Sequence, residues 1–460
     1  MMAFHTSLDQ KFMELLEAKQ SRQSSRPKIQ EVPEYFRNRN NIVKYFSPKS
    51  VSIGPIHHNT QNLKLGENYK LTWAAKYIQL TQQSPKFLHK KILDNIDELK
   101  DLYADKVLAY SCTTEFVKDL HSLEEKLAWV LFVDGCFLMY ILMYLRLQYE
   151  NPEDVNTKVD RLDLVMKDVL LLENQLPYLV LKLLWKDDNE DELIYTMMNF
   201  LNYYHWAPLD NKTTWRWRRR RQTNKEIKTK HVFELQYEQP THLLDLQRKI
   251  ILNKYKIEAG DEVNKKQSRE FSEIESKMMT YRNIEDLTTV GIKLKSSGTR
   301  RPTDINFSEG WFAGKLTLPQ IVVDDDTAAS FLNLIAYEMC PDFKNDKEIS
   351  SFVVFLNSLI DHAEDVKILR SKGILVNSLE SDEEVANLFN NISTDLIYNP
   401  EIYFEVRVKI HEHHFNTCKI WLAQGYHNHF SNPWAIIGFF AALIALTLTF
   451  VQTWFTIFPR

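Results

Sequence analysis

The sequence predicts a mainly α protein, with one large helical domain, a small β element and one C-terminal transmembrane helix. Glycine is scarce, with 11 in 460 residues, whereas average usage is about 7% and a glycine inside a helix costs about 1 kcal/mol relative to alanine. Apolar residues recur at helical spacing over long stretches, and the last apolar segment is long enough to cross a bilayer. These observations favour helices over turn-dense all-β folds.

The overall composition describes a globular, near-neutral chain. It has 57 Lys and Arg against 61 Asp and Glu, a net charge of −4 and a hydrophobic share of 44%, which supports a packed core and excludes a disordered protein. Cys112, Cys136, Cys340 and Cys418 form no C-x-x-C pair, so a disulfide scaffold, a zinc knuckle and a thioredoxin-type site are excluded. We expect reduced thiols in a reducing compartment.

The helical domain is predicted to span residues 28–430, after a loosely ordered N-terminus at 1–27. Residues 67–150 place apolar side chains at helical spacing, and helical patterns continue through 160–204, including DVLLLENQLPYLVLKLLW at 168–185. Pro177 either kinks that last helix or separates two helices.

The β element is predicted in the second half of the chain, where KLTLPQIVV at 315–323 alternates in the manner of a strand. The acidic triplet Asp324–Asp326 follows and precedes a helical pattern, so its carboxylates are expected to cap that helix. Further helices are predicted at about 350–370 and 383–391, the second of them capped by Ser381.

Residues 434–458 predict the transmembrane helix. No charged residue lies between Trp434 and Pro459, and a helix of this length spans about 35 Å, against a hydrocarbon core of about 30 Å. The side chains expected to contact the membrane are Trp434, Phe439, Phe440, Leu443 and Trp454, with the two tryptophans near the interfaces.

A second apolar run, at 127–147, has a different interpretation. It carries Asp134 near its middle, and a central Asp costs about 2.5–3.5 kcal/mol on membrane insertion. We therefore predict a buried core helix there.

The two ends of the sequence suggest an orientation. Charges interrupt the first residues, so no secretory signal peptide is visible, and the apolar segment at the other end predicts a tail-anchored, single-pass protein with a cytosolic globular domain. The membrane is either the plasma membrane or an endomembrane. The N-x-S/T sequons at Asn211, Asn306 and Asn391 are then expected to stay unmodified.

A basic insertion is predicted at 205–240. Nine Lys and Arg against one Glu between Lys212 and Lys230 give a local charge of +8, so the rest of the chain sums to −12. The residues considered as possible contacts to an anionic ligand are Trp215, Arg216, Trp217, Arg218, Arg219, Arg220 and Arg221. A solvated basic loop is favoured, contact with lipid or RNA is kept as an alternative, and nucleic acid is not an expected partner.

Histidines and other polar residues offer weaker candidates. Five histidines fall within His411–His429, but HEHH is not H-E-x-x-H, so a metal-dependent enzyme is only an alternative; no catalytic residue, metal ligand or cofactor is assigned. The pair His57–His58 is interpreted as a turn rather than a site. Glu173–Gln175 interrupts an apolar pattern and is expected to tie helices together by hydrogen bonds.

Eight segments together resemble one family, the plant domain-of-unknown-function 247 family (DUF247, UPF0481). They run in order from VSIGPIHH (51–58), VDGCFLMYIL (133–142), DVLLLENQLPYLVL (168–181) and HLLDLQR (242–248) to LPQIVVDDDTAASFLNLIAYEMC (318–340), LIDHAEDVKILRSKGI (359–374), SDEEVANLFN (381–390) and NPWAIIGFFAAL (432–443). PKIQEVPEYFR at 27–37 departs from the family's usual pattern. The resemblance implies a mostly helical plant protein with one C-terminal membrane segment.

The resemblance also implies recognition rather than catalysis, because some grass relatives are implicated in pollen-side self-incompatibility. No catalytic residue transfers from the family, and the sequence has no G-x-S-x-G, P-loop, G-x-G-x-x-G or kinase motif. The predicted function is therefore a membrane-anchored, non-enzymatic recognition or signalling component. Its expected partners are membrane lipid, through the C-terminal helix, and an unidentified protein.

Overall fold

The fold is taken from a computed structural model of the chain. It describes residues 11–13, 27–39, 42–58, 60–110, 122–150, 159–186, 189–204, 239–252, 283–310, 313–343, 347–415 and 433–458.

The first half of the described chain is helical. Its helices are α1 (Glu34–Arg37), α2 (Lys64–Thr81), α3 (Pro85–Asp94), α4 (Ile96–Asp101), α5 (Asp105–Tyr110), α6 (Leu123–Glu150), α7 (Val159–Asp168), α8 (Tyr178–Leu184), α9 (Glu190–Tyr204) and α10 (Leu243–Ile251). The helices α2, α3, α8 and α9 all pack against α6. The apolar helix α6 is therefore the centre of this half.

Helix α6 confirms the predicted core helix. The window Leu123–Met143 is 83% buried, and Trp73 of α2 stacks on its Phe137 with ring centroids 5.5 Å apart. Tyr77 of α2 donates a hydrogen bond of 2.7 Å to the carbonyl of Leu184 at the end of α8. The surrounding helices thus cover the apolar surface that a bilayer would otherwise be needed to cover.

The second half combines helices with short strands. They are α11 (Ile284–Thr289), β1 (Lys293–Ser296), β2 (Asn306–Glu309), β3 (Gly314–Leu318), β4 (Ile321–Val323), α12 (Thr327–Glu338), α13 (Glu348–Asn357), α14 (Ala363–Ser371), β5 (Leu375–Asn377), α15 (Asp382–Ser393), α16 (Phe404–Phe415) and α17 (Pro433–Ile457). Strand β3 lies between parallel β1 and antiparallel β2, and Leu316 pairs with both neighbours. Strands β4 and β5 pair in parallel, with α12, α13 and α14 between them in the chain.

Two apolar cores result, and the N-terminal segment contributes side chains to both. The first core gathers side chains of α2 to α10 around α6. The second is built on α12 to α15 and the strands, but it also includes Val32, Phe36, Ile42 and Phe46. The N-terminal segment therefore crosses from one core to the other, which joins the two halves.

Several predicted elements have different boundaries. The segment 168–185 is not one helix: α7 ends at Asp168, a 3₁₀ turn covers Leu172–Asn174, and α8 begins after Pro177. Pro177 therefore separates two helices, because it stands at the N-cap, where its missing N–H is harmless. The pattern at 350–370 is likewise two helices, α13 and α14.

The predicted capping of α12 also differs. Asp326 is the N-cap residue but makes no side-chain cap hydrogen bond, and its carboxylate instead pairs with Lys167 at 3.0 Å. Asp324 accepts from the Thr327 hydroxyl at 2.8 Å, which shapes the turn before the helix. Ser381 caps α15 as predicted, by accepting from the Glu384 N–H at 3.1 Å.

Candidate functional site

A loop at residues 49–58 is held by side chains from several distant elements. It begins at the carboxylate of Asp168, at the end of α7, which accepts three consecutive backbone N–H groups, those of Lys49, Ser50 and Val51, at 2.9, 2.6 and 2.9 Å. Burial raises the pKa of this carboxyl, and the three hydrogen bonds oppose the rise. The loop's first residues are thereby fixed to the helical body.

Asn174 continues this attachment. Its amide oxygen accepts from the Ile53 N–H at 2.6 Å, while its amide nitrogen donates to the carbonyls of Val51 and Asp168, both at 3.0 Å. These three side-chain hydrogen bonds of Asn174 join the 3₁₀ turn to the loop or to the end of α7. The residue is 1% exposed, so its amide replaces water for backbone groups that would otherwise be unsatisfied.

Gln175 and Asn333 extend the network to the second core. Gln175 accepts from the Leu244 N–H at 3.0 Å and donates to the Leu171 carbonyl at 2.8 Å. Asn333 of α12 accepts from the Leu172 N–H at 2.8 Å and donates to the Tyr45 carbonyl at 2.9 Å. These contacts confirm the prediction that the Glu173–Gln175 triplet ties helices together.

A buried lysine lies beneath the loop. The Lys70 ammonium is 2.6 Å from Asp134 of α6, 2.9 Å from Glu67 and 3.3 Å from the Ser52 hydroxyl. Asp134 also accepts from the Gly54 N–H at 2.8 Å. Burial raises the pKa of Asp134 to about 6, and Lys70 opposes that rise. The Lys70 ammonium is therefore shared by two carboxylates, those of Glu67 and Asp134. The side chains of Lys70 and Asp134 are both almost fully buried.

Gly54 is required at the turn of the loop. Its φ of +77° lies in the left-handed region, and a Cβ there would stand 3.1 Å from the Gln175 carbonyl oxygen. Only glycine combines this conformation with so close an approach to the backbone. The turn carries the chain directly into His57 and His58.

The two histidines at the end of the loop have different surroundings. His57 Nε2 is 3.0 Å from the Glu173 carboxylate, which also accepts from the Val32 N–H at 2.8 Å and pairs with Arg37. Burial and the Arg37 charge lower the pKa of His57 to about 4, so its ring is neutral at pH 7 and Nε2–H donates. Both ring nitrogens of His58 are buried without a hydrogen-bond partner among the described residues. Burial and Lys70 lower the pKa of His58 to about 4.

The chemistry available at this loop is that of a fixed structural connection. The Ser52 hydroxyl is completely buried and donates to Glu67 at 2.6 Å, so it is not placed to attack a substrate. Cys136 and Cys340 are buried, and burial raises the pKa of each thiol, which keeps them protonated and unreactive. The carboxylates of Asp134, Asp168 and Glu173 are already occupied by backbone and cationic donors.

A second buried charge cluster lies in the other half. Arg248 of α10 donates from Nε to Glu338 of α12 at 2.9 Å and pairs with Glu348 of α13. Glu338 also accepts from the N–H groups of Ile349 and Ser350 at 3.0 and 2.9 Å. Burial raises the pKa of Glu338, and Arg248 opposes that rise. This cluster joins the last helix of the first half to the second core.

The sequence-predicted site residues are only partly described. The possible anion-contacting run Trp215–Arg221, as well as His427 and His429, lies outside the described residues. On α16, His413 is buried and its ring meets Phe307 edge-on, with centroids 5.9 Å apart. Within the described ranges, no group of three His, Cys, Asp or Glu side chains is placed to hold a metal ion.

The residues predicted to contact the membrane all lie on α17. The side chains of Phe439, Phe440, Leu443 and Trp454 are exposed, by 51, 56, 48 and 54%, and Trp434 falls in the first turn of the helix.

Sequence reasoning missed Lys70 and its role. The available signal was its position: Gly66, Lys70, Trp73, Ala74 and Tyr77 share the buried face of α2. A lysine on the apolar face of a helix, with a lone Asp in a separate apolar helix, indicates a buried ion pair.

The chain is similar along most of its length to proteins of one plant family. The profile of a plant protein family of unknown function, DUF247, matches residues 29–448. The UPF0481 protein At3g47200 of Arabidopsis thaliana is 25% identical over 425 residues, which cover 89% of this chain and 82% of the relative. The putative UPF0481 protein At3g02645 of the same plant is 20% identical over 496 residues, covering 90% of this chain and 87% of the relative. No solved structure matches.

Proposed function

The chain belongs to the DUF247 family of plant proteins of unknown function, and from its geometry we propose that it is a membrane-anchored, non-enzymatic recognition protein. In this proposal α17 crosses the bilayer, and the globular part binds an unidentified protein at the membrane surface. One observation carries the proposal: α17 is a long apolar helix that no other described part of the chain covers.

The length and exposure of α17 fit a bilayer. The helix has 25 residues, which extend about 37 Å, against a hydrocarbon core of about 30 Å. Its window Ile437–Trp454 has a mean hydropathy of 1.8 and is 0% buried. So large an exposed apolar surface is unfavourable in water, and lipid tails would cover it.

The hydroxyl groups of α17 are also adapted to a medium without water. Thr447, Thr449, Thr453 and Thr456 each donate to a backbone carbonyl three or four residues earlier, at 2.7–2.8 Å. A helix satisfies all its interior backbone groups within itself, and these bonds satisfy the hydroxyl donors in the same way. The helix can therefore enter hydrocarbon with those donors already satisfied.

Membrane extraction tests the anchor. The full chain should stay with membranes in alkaline carbonate, whereas a variant with Leu443→Arg and Leu446→Arg should be released, because each central Arg costs about 2.5–3.5 kcal/mol. Both side chains are exposed, so the globular part should fold unchanged. The matched control, with methionine at the same two positions, should stay with the membrane. Release of the unmodified chain would disprove the anchor.

The proposed orientation places the globular part in the cytosol. The two described sequon residues, Asn306 and Asn391, are both exposed, so a lumenal domain would present them for glycosylation. We expect protease added to intact vesicles to digest the globular part, with no glycosidase-sensitive mass. A protected, glycosylated domain would reverse the orientation.

The non-enzymatic part of the proposal has its own test. It is supported by the buried carboxylates and thiols described above, which are engaged in structural contacts or kept protonated. Affinity purification of the anchored protein from its own tissue should recover a protein partner. Substrate turnover by the purified chain that a single point substitution abolishes would overturn this part.

A further inference from the structure

One face of the three-stranded sheet is basic. Alternate side chains of its strands pack into the second core, where Leu294, Leu316 and Phe307 are buried. The remaining side chains form the opposite face, on which all are exposed except a half-buried threonine. We call it the lysine face, and its members are Lys293 and Lys295 of β1, Lys315 and Thr317 of β3, and Asn306 and Ser308 of β2.

The lysines of this face stand side by side without a counter-charge. The register places Lys293 directly beside Lys315, and Lys295 beside Thr317. Neighbouring strands are about 4.8 Å apart, so three ammonium groups share a small surface. Among the described residues, no carboxylate forms an ion pair with any of the three, and the face itself has no acidic member. Like charges on paired strands are destabilising, so the isolated fold gains nothing from this arrangement.

Protection of the sheet edges does not account for all three lysines. Lysines on an edge strand prevent a sheet from pairing with another chain, and β1 is an edge strand in the order β1-β3-β2. Lys315, however, lies on the central strand β3, which is already paired on both sides. Solubility does not require the arrangement either, because a soluble surface intersperses both signs of charge. Three unpaired cations on one flat face are instead complementary to an anionic surface.

The sheet also lies close to the segment that leads to α17. The ring of His413, near the end of α16, meets Phe307 of β2 edge-on with centroids 5.9 Å apart. Helix α16 ends at Phe415 and α17 begins at Pro433, and the 17 residues between them, 416–432, extend at most about 60 Å. A chain anchored by α17 therefore keeps the sheet near the bilayer at a high effective concentration, so a modest attraction suffices for docking.

We propose that the lysine face docks on the anionic lipid headgroups of the membrane that holds α17. The inference rests on the membrane-spanning role and the cytosolic orientation proposed above, because the cytoplasmic leaflet carries the anionic lipids. Each lysine near such a surface should shift the ratio of docked to undocked chain by about fivefold. Docking holds the globular part in one orientation, with the second core on the side of the sheet away from the lipid.

Quenching by a labelled lipid tests the docking. The full-length chain would carry Ser308→Cys on the lysine face, with Cys112 and Cys418 replaced by serine and the buried Cys136 and Cys340 retained, and a fluorophore would be attached to the new thiol. Vesicles of phosphatidylcholine, with or without phosphatidylserine, would contain a headgroup quencher. Quenching should be strong only with phosphatidylserine, and it should fall in about 1 M salt, where the Debye length is about 3 Å. Equal quenching without phosphatidylserine would overturn the proposal.

Two triple variants determine whether the lysine face itself is responsible. Replacement of Lys293, Lys295 and Lys315 by glutamine should remove most of the phosphatidylserine-dependent quenching, and the urea midpoint should not fall because these lysines have no ion pairs to lose. The matched control replaces three exposed lysines of the first half by glutamine, namely Lys86, Lys90 and Lys106. The control should be quenched like the parent. Equal losses in the two triple variants would show an effect of total charge alone and would overturn the assignment to this face.

Carbonate extraction separates this inference from membrane anchoring. The lysine-face triple variant should stay in the membrane like the parent, because α17 is unchanged. Release of the parent would overturn both the anchor and the docking that rests on it. A retained parent whose label at position 308 is not quenched on phosphatidylserine vesicles would overturn the docking alone, in favour of an acidic protein surface as the partner of the lysine face.

Discussion

Helices α6 and α17 have the same mean hydropathy in their most apolar windows, 1.8 in each, but opposite surroundings. The window in α6 is 83% buried inside the protein, and that in α17 is 0% buried. The difference lies in their polar groups. Asp134 of α6 needs Lys70 and the Gly54 N–H from elsewhere in the chain, whereas the threonines of α17 use their own helix. The placement of polar groups thus distinguishes the core helix α6 from α17, an exposed helix of equal hydropathy that is long enough to cross a membrane.

The largest loss of stability is expected from breaking the buried ion pair between Lys70 of α2 and Asp134 of α6. Lys70→Met leaves the buried Asp134 without its cation, which raises the pKa of that carboxyl further and should cost about 3–5 kcal/mol of unfolding free energy. Urea unfolding of the full chain in detergent would measure the loss. Lys100→Met is the matched control, because Lys100 pairs with the exposed Asp97 at 2.9 Å, and its unfolding midpoint should hardly move. Equal losses would contradict the buried pair.

A smaller effect is expected from acidification of the globular part. Burial lowers the pKa of His242 to about 4, so the unfolded chain takes up a proton near pH 6.5 and the folded chain does not. This contribution to stability is complete above pH 6.5 and is lost as the pH falls towards 4, by about 3 kcal/mol at most.

His242→Asn should remove that loss while retaining the cap, because the His242 ring accepts from the Asp245 N–H at 3.1 Å and Asn also caps helices well. Unfolding free energies at pH 7 and pH 4 would be compared for the two proteins. Residues 434–458 hold no charged side chain, so membrane retention should not change over the same pH range. Identical pH profiles for parent and variant would contradict the assignment.

Two glycines provide a matched test of packing. A Cβ at Gly66 of α2 would stand 2.2 Å from the Ser50 carbonyl oxygen, whereas a Cβ at Gly438 of α17 would meet nothing within 4 Å. Gly66→Ala should therefore force the loop and helix apart at a cost of about 1–3 kcal/mol. Gly438→Ala should leave urea unfolding of the globular part unchanged. Similar changes in the unfolding free energy for Gly66→Ala and Gly438→Ala would contradict the expectation that only Gly66 is closely packed.

The smallest effect is expected from Thr447→Val. The Thr447 hydroxyl already donates to the Ile444 carbonyl at 2.8 Å, so its replacement should change membrane retention by less than about 0.5 kcal/mol. Carbonate extraction at graded pH would measure it. A large loss of retention would mean that the hydroxyl has a partner outside its own helix.

The sequence was sufficient for features that depend on local pattern. The core helix α6, the membrane-compatible α17 and the strand region at 315–323 follow from the period and length of apolar runs. The central Asp134 even distinguished α6 from a membrane span. These predictions hold because each depends on neighbours within a few residues.

Long-range contacts account for what the sequence did not reveal. The helical pattern of 168–185 is broken because its backbone finds remote partners: the Leu172 N–H donates to Asn333 and the Tyr178 N–H to the Thr241 carbonyl. Strand β5 has only three residues and pairs with β4 more than 50 positions earlier, so it has no detectable period. The position of Lys70 on an apolar helix face indicates a buried partner, but the contact with Asp134 joins residues 64 positions apart, so no local pattern specifies it.

The crossing of the N-terminal segment into the second core has a consequence for synthesis. Phe36 and Phe46 emerge early but pack with residues made much later, and the Tyr45 carbonyl bonds Asn333 across 288 positions. At about 5–20 residues per second, the ribosome needs roughly 15–60 s to deliver that partner. During this time the two aromatic rings lack most of their native cover, and transiently exposed apolar surface of this kind favours aggregation and is what chaperones bind.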